Sequence, residues 1–255
     1  MIDLYGMCSP NVTKVTILLE ELALPYRTHA VNVVAGDQYQ PAFLGMNPNN
    51  KVPVIVDDEG PEGAPHTVFE SGAILLYLAR KTGRFLPEPP AARSVVEQWL
   101  ILQVASIGPM FGQLSHFLRF APPGNDYARE RYASEVQRLF KVLETRLAAS
   151  PFLGGADYSI ADIATFPWIR TALGYFPWFQ PSPSLARYAA LDRWYATIAA
   201  RPAAQRALLV EERFLALDIE AFRAADADAI DRFCGRGQHR VGLPPESAAM
   251  DTRSQ

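Results

Sequence analysis

The feature that most constrains the fold is a change of periodicity across residues 84–92, RFLPEPPAA. Before it, short apolar runs of strand type alternate with helical stripes; after it, every apolar stripe has helical spacing. MIDLY reads as a buried strand. Val12, Val15, Leu18, Leu19 and Leu22 then recur on one helical face. YRTHAVNV predicts a second strand, QPAFLGMNP one or two helical turns, and VPVIVD and HTVFE a hairpin closed by DDEGPEGAP. SGAILLYLARKTG predicts a helix with Ser71 as its N-cap and Gly83 at its left-handed end. Beyond the Pro-rich segment, Glu97 to Phe120 predicts a long helix kinked or divided at Gly108–Pro109. Asp126 to Leu147 carries a clean amphipathic stripe, and YSIADIATFPW contains a capping box of Ser159 and Asp162. Leu185, Tyr188, Leu191, Trp194 and Ile198 form a further stripe, ended by Arg201–Pro202.

The first half thus orders as βαβ, a short helix, then ββα, the thioredoxin arrangement. The fold class is α/β followed by all-α. Residues 1–83 are expected to form a thioredoxin-like domain, 84–92 a linker and 93–210 an all-helical domain. Residues 211–255 form an extension, helical where Phe214, Phe222, Ile230 and Phe233 can anchor it and disordered from Gly235 onward.

Composition narrows the function. Charged residues make up 20% of the 255, hydrophobic ones 49%, and the formal net charge is −3. This gives no electrostatic case for a nucleic acid or an acidic membrane surface as partner. No apolar run is long enough to span a bilayer, and MIDLYG does not read as a signal peptide. Two distant cysteines, Cys8 and Cys234, are too few for a disulfide framework, so a cytoplasmic protein with reduced thiols is expected.

Four segments carry a resemblance. MIDLYGMCSPNVTKVTILLEEL, NPNNKVPVIVD, FESGAILLYLA and YSIADIATFPW together resemble the cytosolic glutathione S-transferases over about residues 1–209. The Ser-Pro-Asn loop, GDQYQPAF, GPMFGQLSHF and YARERY are similar to the bacterial Nu-class, the glutathione-dependent disulfide-bond oxidoreductases. In that class the loop reads Thr-Pro-Asn, so Ser9 here stands in place of Thr. The resemblance implies the glutathione transferase fold, a homodimer, glutathione as cosubstrate, no metal, and reduction of disulfides by two glutathiones without a protein cysteine. It also implies glutathione contacts from Asn11, Gln38, Val52, Glu70, Ser71 and Arg131.

The residue chemistry agrees. A glutathione site must hold a tripeptide with two carboxylates and an ammonium, and must stabilise a thiolate. Glu70 and Ser71 stand where a strand enters a helix, so Ser71 and the helix dipole can bind the γ-glutamyl carboxylate while Glu70 faces the ammonium. If the Val52–Pro53 bond is cis, as in the family, Val52 can pair with the peptide as an added strand. Lys51 can reach the glycyl carboxylate. Ser9 and Asn11 open the first helix, where hydroxyl, amide and backbone N–H groups can converge on sulfur, and Pro10 suits the first helical position. These two are the expected catalytic residues.

Other candidates are weaker. Cys8 lies one residue before the place where cysteine-type relatives carry their nucleophile, and is expected to be a bystander or modulating thiol. Tyr5 lies within the first strand and reads as packing. The electrophile pocket is expected around Met110, Phe111, His116, Phe117 and Trp168, with His116 a satisfied helix residue. Conjugation, ether cleavage, dehalogenation or peroxide reduction would use the same activated thiolate. A non-catalytic interaction protein of the same fold is the alternative from another class.

Overall fold

A computed structural model describes residues 1–235. The first half contains β1 (Ile2–Gly6), α1 (Pro10–Leu22), β2 (Tyr26–Ala30), α2 (Pro41–Met46), β3 (Val54–Asp57), β4 (His66–Phe69) and α3 (Ser71–Thr82). The four strands form one sheet in the order β2-β1-β3-β4. β1 runs parallel to β2, as a crossover through α1 requires, and antiparallel to β3; β3 and β4 form the hairpin. α1 and α3 lay Val15, Leu18, Leu19, Ile74, Leu75 and Leu78 into one core with Ile2, Leu4 and Ile55 of the sheet.

The helical half runs α4 (Pro90–Leu102), α5 (Gly108–Arg119), α6 (Asp126–Ala149), α7 (Ile160–Tyr175), α8 (Ala189–Ala199), α9 (Pro202–Arg223) and α10 (Ala227–Phe233). α4 starts at Pro90, inside the stretch read as linker, because a proline at the first helical position loses nothing by lacking an N–H. The long helix is interrupted by a π-helical turn, Gln103–Ile107, immediately before Gly108–Pro109. Pro109 has no N–H to donate and crowds the preceding turn, which widens there. Gly108 permits a close approach: a Cβ at this position would stand 3.0 Å from Gln103 Nε2 and 3.4 Å from the Trp168 ring.

The capping box of α7 forms. Asp162 accepts the Ser159 N–H at 3.0 Å, and Ser159 Oγ accepts the Ala161 N–H at 3.3 Å. Asp162 is fully buried and also accepts from Leu153 N and Trp194 Nε1, each at 2.8 Å. Burial raises its carboxyl above the ordinary range despite these three donors and a fourth, Ser159 Oγ at 3.0 Å.

α9 continues without a break through residue 210, and packs along α1. Arg201 and Arg206 of this half pair with Glu21 and Glu20 at the end of α1. Phe214 is buried, and Phe233 meets Phe222 and Phe120 at 4.9 and 5.6 Å between ring centroids. The disorder expected from Gly235 onward falls, beyond that residue, outside the described residues.

Candidate glutathione site

The site assembles at the N-terminal end of α1. Ser9 is the N-cap, with extended backbone, and its Oγ accepts the Val12 N–H at 3.3 Å; Pro10 takes the first helical position. Capping uses only a lone pair of the serine oxygen, so its O–H remains a donor. Asn11, on the first turn, has no acceptor for its N–H inside the helix.

Asn11 is the junction of the two halves. Its Oδ1 accepts from Trp168 Nε1 of α7 at 3.3 Å and from Ser71 Oγ of α3 at 3.5 Å. Indole N–H is a donor only, which fixes the amide with oxygen toward Trp168 and Nδ2 turned away, with no acceptor among the described residues. Trp168 is buried. Sequence reasoning placed Trp168 in the electrophile pocket but missed that it orients Asn11.

Ser71 does not cap α3. It is the first residue of that helix, and Glu70 occupies the cap position with φ +67°, a conformation rare for a residue with a side chain. The Glu70 backbone turns the Ser71 hydroxyl toward Asn11 and away from its own helix. The Glu70 carboxylate accepts from Asn49 Nδ2 at 3.2 Å. The Val52–Pro53 peptide is cis. Strand register pairs Val54 with Phe69 on one side and Tyr5 on the other, so Val52 and Pro53 lie in line with Glu70 and with the loop after Gly6. Among the described residues no backbone group bonds the Val52 N–H or C=O. Lys51 is exposed nearby.

Two expected contacts stand apart. Gln38 is buried, its Nε2 donates to Val33 O at 3.1 Å, and its Oε1 has no partner among the described residues. Arg131 is exposed on α6 and lines a hollow of about 360 Å³ with Met110, Tyr127 and Tyr132, which none of Ser9, Asn11 or Ser71 lines. Of the expected electrophile pocket, Trp168 lines a cavity of about 740 Å³ with Cys8, Ser9 and Pro10. Phe111 is fully buried between Phe140 and Phe176, a core residue and not a pocket wall. Phe117 stacks on Tyr132 at 5.5 Å, and His116 lies against Phe117 and Phe120.

Tyr5 stacks on His29 at 4.6 Å. The Cys8 thiol is pushed up to about 12 by burial, and further by the charges of Glu211 and Asp218, so it stays protonated at neutral pH. A protonated thiol is a poor nucleophile.

Beneath the site lies a residue that sequence reasoning passed over. Lys14, one turn beyond Asn11, is 1% exposed, and its Nζ donates to Gln103 Oε1 at 2.8 Å. Burial lowers it to about 7, partly offset by the Glu70 carboxylate. A lysine among Val12, Val15, Leu18 and Leu19 was the available signal.

Comparison with known proteins matches this arrangement. The family description "Glutathione S-transferase, N-terminal domain" fits residues 1–80, and "Glutathione S-transferase, C-terminal domain" fits residues 126–197. The chain is 49% identical over 210 residues to the disulfide-bond oxidoreductase YfcG of Escherichia coli strain K12, covering 82% of this chain and 95% of that protein. The chain belongs to the glutathione S-transferase family. It is 36% identical over 216 residues to another such oxidoreductase, YghU, of the same organism, covering 82% of this chain and 74% of that protein. A glutathione transferase family member from Pseudomonas fluorescens, solved with two glutathione bound, superposes with a TM-score of 0.76 at 44% identity, covering 81% of this chain and 92% of its own. A glutathione transferase from Pseudomonas putida with one glutathione disulfide bound gives 0.74 at 40% identity, covering 81% and 90%. In this chain the sheet half and the helical half meet where Asn11, Ser71 and Trp168 join.

Proposed function

We propose that the protein is a glutathione-dependent disulfide reductase that activates glutathione with Ser9 and Asn11 and uses no cysteine of its own. The observation that carries the reading is the division of labour in the loop: Asn11 is held by donors from both halves with its amide free, while the Cys8 thiol beside it stays protonated.

Free glutathione, with an ordinary thiol pKa near ~8.5, is mostly protonated at neutral pH. The Ser9 O–H, the Asn11 Nδ2–H and the Asn11 backbone N–H, at the positive end of α1, together favour its thiolate. That thiolate attacks one sulfur of the substrate disulfide. The S–S bond breaks, a mixed disulfide with glutathione forms, and the departing thiolate takes a proton. A second glutathione thiolate attacks the glutathione sulfur of the mixed disulfide and releases the second substrate thiol. Two glutathiones have then given two electrons to one disulfide, leaving glutathione disulfide and two thiols. Binding of two glutathiones, or of glutathione disulfide, by the Pseudomonas structures supports this sequence.

Lys51, Val52, Pro53, Glu70 and Ser71 would hold the tripeptide of the first glutathione, and Gln38, buried with its amide donating to Val33 O, would reach it only through its unpartnered Oε1. Arg131 would supply charge for the second. We further infer a cytoplasmic homodimer. The face of β4 and α3 carries a hollow of about 610 Å³ whose apolar floor of Val68, Ala73 and Leu76 is flanked by Glu59, His66, Arg80 and Lys81, and it lies outside this site.

The test is reduction of bis(2-hydroxyethyl) disulfide by glutathione, run beside conjugation of a chloronitrobenzene. Formation of one glutathione disulfide per substrate disulfide is expected. Conjugation with no reduction would move the protein to a conjugating transferase.

A further inference from the structure

The mechanism so far leaves the end of α9 and all of α10 without a role, yet both are seated on the catalytic loop. Asp218 Oδ2 of α9 accepts the Cys8 N–H at 2.8 Å, across 210 positions of sequence. Two turns earlier, Glu211 accepts the Thr13 hydroxyl at 2.7 Å and pairs with Arg170 of α7. Phe233 of α10 packs, as Met7 and Val52 do, against the buried cluster of Val31, Val33, Phe43 and Val54.

This seating encloses space on both sides of the loop. One lobe is the cavity of about 740 Å³ that Ser9 and Trp168 line. The other, about 490 Å³, is walled by Asp218, Phe222 and Phe233 of the extension. Cys8, Arg119, Tyr175 and Leu215 line both lobes, so the catalytic loop stands at their junction. The second lobe has the volume of a small-molecule site and could not exist without α9 and α10.

Charge in the two lobes is committed, with one exception. Arg170 is paired with Glu211, Arg223 with Glu220, and Asp218 with the Cys8 N–H. Arg119 makes an ion pair with no carboxylate among the described residues. Its guanidinium instead lies over the Tyr175 ring at 4.3 Å and the Phe120 ring at 5.0 Å. An arginine held against two aromatic rings, in a pocket of Phe222, Phe233 and Leu215, offers a fork to a carboxylate and an apolar bed to a ring.

We propose that this extension-built lobe binds the disulfide substrate and selects small aromatic disulfides carrying a carboxylate, which Arg119 receives. The substrate class rests on the reductase reading above, whereas binding in the lobe does not. The reaction is unchanged: glutathione thiolate attacks the sulfur presented at the junction, the S–S bond breaks, and an aryl thiolate leaves while its carboxylate stays with Arg119.

The test measures binding and turnover separately, on the full chain. The first readout is calorimetric binding of 3,3′-dithiodibenzoate without glutathione, to wild type, Arg119→Gln and Arg119→Lys. Saturable binding is expected, weakened about tenfold by Arg119→Gln and less by Arg119→Lys, the loss of one charge-assisted contact. The second readout is glutathione-dependent reduction of the same compound and of bis(2-hydroxyethyl) disulfide. Wild type should favour the aromatic dicarboxylate, and Arg119→Gln should lower kcat/KM for it about tenfold further than for the neutral disulfide. No saturable binding, or equal binding by all three proteins, overturns the proposal whatever the turnover shows. Selective binding with no reduction of either disulfide would leave the lobe standing and sink the reductase reading.

Discussion

Replacing Lys14 by methionine tests the physics beneath the site through its pH dependence. Lys14 Nζ is buried with one hydrogen-bond partner, Gln103 Oε1, and burial lowers it from an ordinary 10.5 to about 7. Below pH 7 both folded and unfolded chains carry the proton. Above it the folded chain has shed the proton, while the unfolded chain keeps it up to about pH 10.5. The unfolded state then binds more protons, so stability rises with pH through this window. At ~1.4 kcal/mol for each pH interval over which a whole proton separates the states, the rise from pH 7 to pH 9 is about 2 kcal/mol. Lys14→Met has no such group and lacks this rise. The assay is urea unfolding of both proteins at pH 7, 8 and 9, compared as a difference so that the other titrating groups cancel. Methionine, of similar length and able to lie in the apolar surroundings, should be the more stable protein at pH 7, and its advantage should shrink by about 2 kcal/mol at pH 9. A difference independent of pH would show that Lys14 keeps an ordinary lysine's proton, and would refute the reasoning.

Trp168→Phe keeps the ring and removes the N–H that holds Asn11 Oδ1. The bound thiol should ionise at higher pH, and kcat/KM at pH 7 should fall about tenfold, the worth of roughly one hydrogen bond, as a pH–rate profile would record. Asp162→Ala strips four donors of their acceptor in a fully buried place. Unfolding should then occur at lower urea, at a cost of about 3 kcal/mol in stability, with the glutathione KM little changed in the folded fraction.

What the sequence revealed, and what it hid, follows the range of the interactions. The strands, the Ser9 cap with Pro10 behind it, and the Ser159–Asp162 capping box are set by neighbours a few residues apart. All were legible. Ser71 was misassigned as a cap because its role depends on the Glu70 backbone and on Asn11, which is 60 positions away. Phe111 shows the same limit. A helical stripe looks alike whether it faces a core or a cavity, and only the arrival of Phe140 and Phe176 decides it. The contacts that define this site most closely, Trp168 to Asn11, Lys14 to Gln103 and Asp218 to Cys8, span 157, 89 and 210 positions. No local pattern encodes them. Lys14 left a trace as a charge on an apolar helix, and Asp218 left none.

The account stands on the claim that glutathione is activated by Ser9 and Asn11 while Cys8 remains an inert thiol. The most direct measurement is the rate at which Cys8→Ala reduces bis(2-hydroxyethyl) disulfide with glutathione at pH 7, set against wild type and Asn11→Ala. Reduction by Cys8→Ala within about twofold of wild type, with Asn11→Ala down by about a hundredfold, is the predicted result. Collapse of reduction in Cys8→Ala, with Asn11→Ala still active, would make Cys8 the nucleophile and contradict it.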